Sequence, residues 1–164
     1  FFLVFFLLQV LAPLFLPAGS ITDLSGMTAV SDNEEKIRKM PQPWNFIYGI
    51  GDRMCHQKSD RSFFINNNQM PFCARCTAIW LGLVIGIFIM FFLDFELNEK
   101  TFLIIVLGII PLAIDGAGQL IGLWESTNVI RFLTGFLTGA VSGVALWIII
   151  YWFCDIFFII KMKK

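Results

Sequence analysis

Residues 132–160, FLTGFLTGAVSGVALWIIIYWFCDIFFII, run for 29 residues with one charged side chain, Asp155. A helix of roughly 20 apolar residues crosses a bilayer core about 30 Å thick, so this segment is long enough to span. Three further apolar stretches accompany it, at 1–17, about 72–93 and about 101–123. A soluble domain of this size has no core able to hide so much Phe, Ile and Leu. The whole chain of 164 residues is 57% hydrophobic, contains 19 Phe and is only 15% charged, where a soluble domain is nearer a quarter charged. The expected fold is therefore an all-α integral membrane protein, with four transmembrane helices and a long polar loop between the first and second.

The expected organisation is a first membrane helix over 1–17, a polar loop over 18–71, a three-helix membrane body over 72–160 and a basic tail over 161–164. Segment 1–17 reads as a retained helix rather than a signal peptide. The basic stretch that a signal peptide would need is not visible in the sequence, and Pro17–Ser20 matches a cleavage site only loosely. The third span is unusual, because its clean apolar run ends at Asp115. It reaches spanning length only if the helix continues through DGAGQLIGL, which places Asp115 and Gln119 on one face, four residues apart.

Within the polar loop, SDNEEKIRKM at 31–40 suggests a short surface helix started by Ser31 or Asp32, with Ile37 and Met40 turned to the bilayer or the body. PQPW at 41–44 ends it, and Trp44, Phe46 and Tyr48 suit an interfacial aromatic zone. Gly82 and Gly86 in the second span, and Gly135, Gly139 and Gly143 in the fourth, recur every four residues. That interval permits close helix packing. A net charge of zero and the lack of a long basic run give no support for nucleic-acid binding.

The chemistry-bearing residues fall in two segments. CHQKSDRSFFINNNQMPFCARCTAIWLG, residues 55–82, holds three of the four cysteines and the single histidine. Thiolates and imidazole suit zinc, so Cys55, His56, Cys73 and Cys76 are candidate metal ligands. Adjacent residues such as Cys55 and His56 usually point apart, so the fourth ligand is alternatively a carboxylate, Asp52 or Asp115. An open fourth position would make the site catalytic, with zinc activating water. A second reading is redox: Cys73 and Cys76 lie at a helix start, where the dipole and Arg75 favour a thiolate. In that respect the chain resembles quinone-linked membrane disulfide-forming enzymes, and the resemblance would imply quinone. Those enzymes relay electrons through a second cysteine pair, and here only Cys55 is at hand. A structural cysteine knot without ligand is the third reading. Cys154 lies about 33 Å down the last helix from Arg131 at 1.5 Å per residue, and is expected as a small buried hydrophobe.

The second segment is PLAIDGAGQLIGLWESTNVIR, residues 111–131. An ionisable side chain inside a span is costly and marks function by default. Asp115 and Glu125 are candidate proton-handling residues. Arg61, Arg75, Gln119, Asn128 and Arg131 are candidates for binding an anionic group. Ser126 is either a nucleophile, if a base lies near, or a cap for the last helix. The bland alternative is a polar network that pins helix ends together. Four spans bring both segments to one membrane face, whose loops carry eight Lys/Arg against four on the other. That asymmetry favours a cytoplasmic cysteine face in the cell membrane.

GDxxCHQ at 51–57, RSF at 61–63, NNNQMPFCARCTAIWLG at 66–82 and DGxxQxxGxxESTNxxRxxTG at 115–135 resemble an uncharacterised domain-of-unknown-function family of small microbial membrane proteins. Asn67 stands where that family carries Gly in an N-G-N turn, a place that Asn tolerates. The resemblance implies a multi-helix membrane protein whose polar motifs form a shared site. The resulting expectation is a zinc site beside a juxtamembrane pocket, acting on an amphipathic or lipid-linked anionic substrate. The alternatives are a membrane thiol oxidoreductase and a noncatalytic subunit of a larger membrane complex, with the lipid bilayer as the constant partner.

Overall fold

The computed structural model describes residues 1–93 and 97–162, with side chains through Ile156. Residues 94–96 and the last two residues of the expected basic tail lie outside the described residues. Among the described residues the fold has six α-helices, one 3₁₀ turn (Ser59–Arg61) and one hairpin: α1 (Phe2–Phe15), α2 (Glu34–Arg38), α3 (Trp44–Met54), β1 (Ser62–Ile65), β2 (Asn68–Cys73), α4 (Ala74–Ile89), α5 (Glu99–Leu120) and α6 (Asn128–Met162).

Among the described residues, two helices are long and apolar enough to cross a membrane, α5 over Glu99–Leu120 and α6 over Asn128–Ile156. α5 is capped by Asn98, whose side chain accepts from the Thr101 backbone N–H at 2.9 Å. It continues past Pro111 and Asp115 to Leu120, giving 22 residues. Pro111 is tolerated because neighbouring groups in a membrane bundle can re-satisfy the backbone it interrupts. Along α5 the side chains of Phe102, Leu103, Ile104 and Leu107 are exposed on the protein's outer face, where lipid covers them. α1 and α4 have 14 and 16 residues. At 1.5 Å per residue these reach about 21 and 24 Å, short of the hydrocarbon core. Two of the four expected spans are thus apolar helices below spanning length.

α4 packs chiefly against α6. The two run parallel: Gly135 meets Arg75 and Ala78, while Gly143 meets Leu83 and Gly86. A Cβ on Gly139 would fall on the Ile79 carbonyl oxygen, and one on Gly86 on that of Ala140. The glycines therefore let two backbones touch, which larger residues forbid. α5 returns antiparallel to α6, with Thr138 donating to the Gly108 carbonyl at 3.3 Å. The start of α4, the end of α5 and the start of α6 consequently meet at one end of the bundle.

The 18–71 segment contains more regular structure than its loop-like composition suggests. The expected surface helix is the single turn α2, with Asn33 before it; Ile37 and Met40 are buried against the body. Asn33 binds the Asp52 carboxylate through its amide at 2.6 Å and its backbone N–H at 3.2 Å. α3 occupies what reads as a connection, and it corrects the interfacial assignment of Tyr48. Phe46 is exposed as an interfacial aromatic would be, but Tyr48 is fully buried and donates to the Gln69 carbonyl at 2.6 Å.

β1 and β2 form an antiparallel hairpin, with Ile65 facing Asn68 across the two-residue turn Asn66–Asn67. Both turn residues have positive φ, 53° and 57°. That is the demand of a tight hairpin turn, and Asn meets it at low cost. The hairpin is tied to α1 by Asn68. Its amide donates to the carbonyls of Pro13 at 2.9 Å and Pro17 at 3.0 Å, while its oxygen accepts from Ile21 N–H at 3.0 Å. The Pro13 carbonyl is one of those that a helix C-terminus leaves without intrahelical partners.

Candidate functional site

Cys55 caps the C-terminal end of α3, Cys73 closes β2 and caps α4, and Cys76 lies in the first turn of α4. Their sulfurs all lie within 4.8 Å of one another. The approach of α3 to β2 creates this meeting. Gln57 donates to the Pro71 carbonyl at 2.6 Å, and a Cβ on Gly51 would strike that same carbonyl. The GDxxCHQ motif is therefore read physically as a docking strip: Gly51 makes room, Asp52 anchors Asn33, Cys55 enters the cluster and Gln57 holds the strand.

All four cysteines are free thiols. The Cys73 backbone N–H donates to the Cys55 sulfur at 3.3 Å. The hydrogen bond Cys55 donates to Cys73, reinforced by burial, pushes the Cys55 pKa up to about 12. Hydrogen bonds from Cys55 and then Cys76 hold Cys73 well below the ordinary thiol value. One thiolate solvated by two thiols is a donor set ready for a soft cation. Sulfurs bound to one zinc at about 2.3 Å would stand about 3.8 Å apart, a separation that fits inside the 4.8 Å limit of the present triangle.

His56 is exposed and lies outside this sulfur cluster, on the wall of the cavity that the cluster borders. The cavity has a volume of about 140 Å³. Cys55, Cys73 and Cys76 form one side of it, and Arg61, Arg75, Gln119 and Arg131 another. Residues as far apart in sequence as Cys55 and Arg131 thus share one small space.

Asp115 lies just behind that wall and is 4% exposed. Its carboxylate accepts from Arg75 Nη2 and Ser126 Oγ, from Gln119 Nε2 at 3.0 Å and from Trp124 Nε1 at 3.4 Å. Four donors occupy both oxygens, so Asp115 acts here as a clamp joining α4, α5 and the α5–α6 loop. Asp52, the other carboxylate considered as a fourth metal ligand, is likewise engaged, with Asn33. Arg131 is 5% exposed and reaches Gln119 Oε1 and Asn128 Oδ1, each at 3.2 Å. Asn128 also donates to the Asp60 carbonyl at 3.2 Å, linking α6 to the turn before β1. Glu125 is exposed at the rim, with Oε1 3.7 Å from Arg61 Nη2. Ser126 donates to Asp115 rather than capping α6; Thr127 Oγ1 accepts from Ile130 N–H at 3.3 Å instead. Cys154, expected as a buried hydrophobe, is exposed on the outer surface of α6.

The sequence reading passed over Ser62, Asn68, Gln69 and Gln57 as site-forming residues. Gln69 is fully buried, accepting from Leu24 N–H at 2.9 Å and donating to the Gln57 carbonyl at 2.6 Å. The available signal was a run of amides beside a cysteine motif, at positions where solvated loops carry amides as readily.

Fold and site together define a helical membrane protein with a three-cysteine cluster and an arginine-lined cavity at one end of its apolar bundle. The chain belongs to the family described as "Predicted membrane protein (DUF2085)", whose model matches residues 55–159. It is 36% identical to an uncharacterised protein of Methanocaldococcus jannaschii, over 99% of this chain and 92% of that one. It is also 40% identical to an uncharacterised protein of Methanothermobacter thermautotrophicus, over 52% of this chain and 78% of that one. No solved structure matches. As a membrane protein it has the lipid bilayer as a partner.

Proposed function

We propose that Cys55, Cys73 and Cys76 bind zinc through three thiolates, and that the adjoining cavity receives the anionic group of an amphipathic or lipid-linked substrate. The observation carrying this reading is the sulfur triangle, within 4.8 Å, on the wall of the cavity that Arg61, Arg75 and Arg131 share. Among the described residues no fourth ligand joins the cluster, with His56 on the cavity wall as the nearest nitrogen candidate. Zinc with three protein ligands and an open position acts as a Lewis acid and activates water. Arg75, oriented by Asp115, and Arg131, oriented by Gln119 and Asn128, hold the anion. Glu125 at the rim is the carboxylate left to exchange protons. The positive-inside asymmetry supports a cytoplasmic position for this face, testable with a membrane-impermeant maleimide on a cysteine introduced at the exposed Lys58.

Elemental analysis of purified protein tests the metal. About one zinc per chain is expected, falling below about 0.2 in Cys73→Ser, because losing one of three thiolates removes most of the affinity. Zinc-free wild-type protein would end this reading. The closeness of the free thiols Cys73 and Cys76 favours a second one, oxidation of this dithiol to a disulfide with a quinone taking the two electrons and two protons to become quinol. Thiol trapping distinguishes them: a Cys73–Cys76 disulfide that cycles with added quinone supports redox chemistry, and metal-protected reduced thiols exclude it.

A further inference from the structure

Three arginines line the cavity of about 140 Å³, and no carboxylate is among its lining residues. Asp115 neutralises Arg75, and Asp60 and Glu125 stand 3.7 Å from Arg61 at the exposed rim. Arg131 faces Gln119 and Asn128, which are neutral amides. Two further donors are idle: the Nε atoms of Arg61 and Arg75 are buried without a hydrogen-bond partner.

We infer that the cavity is a phosphate-class anion site, in which a phosphate group displaces Glu125 from Arg61 and is held by the guanidinium groups of the lining Arg61, Arg75 and Arg131. This rests on the reading of the cavity as the substrate pocket. Guanidinium forks match tetrahedral and planar oxyanions, and several of them select for multiply charged ones. Size agrees. At about 30 Å³ per water the space holds about five waters, below the about 300 Å³ where drug-sized pockets begin. It accommodates a headgroup, not a whole amphiphile. Leu120, Ile121 and Leu123 are exposed at the adjoining end of α5, where an attached hydrocarbon chain would lie in the bilayer. Glu125 occupies Arg61 weakly, being 86% exposed, so it is a placeholder that a phosphate outcompetes.

Isothermal titration of the full chain in detergent tests this, with inorganic phosphate and short-chain phosphatidic acid as probes and short-chain phosphatidylcholine as control. Saturable binding of at least one of the first two is expected, and absent for the control. Arg61→Gln should weaken it on the order of tenfold or more, the scale of a lost charge-assisted hydrogen bond. Glu125→Gln should tighten it about two- to fivefold, the scale of an exposed ion pair. A purely structural Glu125–Arg61 contact gives no tightening, and that result, or no phosphate binding, overturns the inference. Phosphatidic acid binding well above inorganic phosphate identifies a lipid headgroup as the source; equal binding identifies free phosphate; both support the class. Zinc is measured on the same samples. Zinc retained without phosphate binding sinks only this inference, and phosphate bound by zinc-free protein sinks only the metal.

Discussion

Replacing Asp115 with Asn keeps the side chain's shape and removes the charge on which four donors converge. In the native protein Arg75, Ser126, Gln119 and Trp124 all point at this carboxylate, which is 4% exposed. The variant turns one oxygen into an amide donor, so one of those donors faces another and Arg75 loses its counter-charge. Breaking a buried ion pair from one side costs about 3–5 kcal/mol. Arg75 retains 24% side-chain exposure, so water recovers part of that loss and about 2–4 kcal/mol remains. The assay is denaturant unfolding in mild detergent, with hydrogen exchange across residues 121–127, which Trp124 and Ser126 fasten to α5. Faster exchange there and a loss in that range are expected. Adding Arg75→Met should restore part of the stability, because the unpaired guanidinium is then gone. A loss under about 1 kcal/mol, or full additivity of the two substitutions, would refute the clamp.

Other perturbations read other parts of the fold. Gly139→Val should separate α4 from α6 and cost about 2–3 kcal/mol in thermal unfolding, since its side chain would occupy the Ile79 carbonyl. Gly49→Ala should instead gain up to about 1 kcal/mol, because the nearest atom to its Cβ is Ile37 Cγ2 at 3.9 Å and the helix benefits. Asn68→Ala should cost about 2–4 kcal/mol and speed exchange of the Ile21 amide, through the loss of its three well-formed hydrogen bonds. Burial raises the Tyr48 pKa above its ordinary 10.0, so the folded state holds the phenol proton longer than the unfolded chain does. Its stabilisation is therefore complete below pH 10.0 and declines as pH rises toward the folded value, at up to about 1.4 kcal/mol per pH unit. Unfolding at pH 9 and 11 measures it, and Tyr48→Phe should flatten that part of the profile.

Several parts of the molecule were legible residue by residue. The continuation of α5 through Asp115 to Leu120, and the facing of Asp115 by Gln119, follow from helical periodicity alone. The tolerance of Asn67 for a left-handed backbone, read from a missing glycine, is realised with φ of 57°. The glycine repeats of the second and fourth apolar segments meet as their spacing suggests. The hairpin and α3 were hidden by their context. Their residues are polar or aromatic, suit a surface connection equally well, and fold by docking on α1 and on each other. Tyr48 shows the ambiguity: the same aromatic with a polar tip satisfies a membrane interface or a buried carbonyl, and only the position of Gln69 decides.

The sequence by itself determined that this chain lives in a membrane, because apolar length is a local property that bilayer thickness reads directly. It also determined which residue types are available for chemistry: soft sulfur in one segment, and a carboxylate with arginines in another. The tertiary structure decided which of those act together. It drew three sulfurs into a triangle and left His56 at its edge, and it spent Asp115 on a clamp while leaving two guanidinium donors idle. Such distinctions turn on ångström distances between residues dozens of positions apart. The fit of α3 to the hairpin and of α4 to α6 sets those distances, and no periodicity along the chain encodes them.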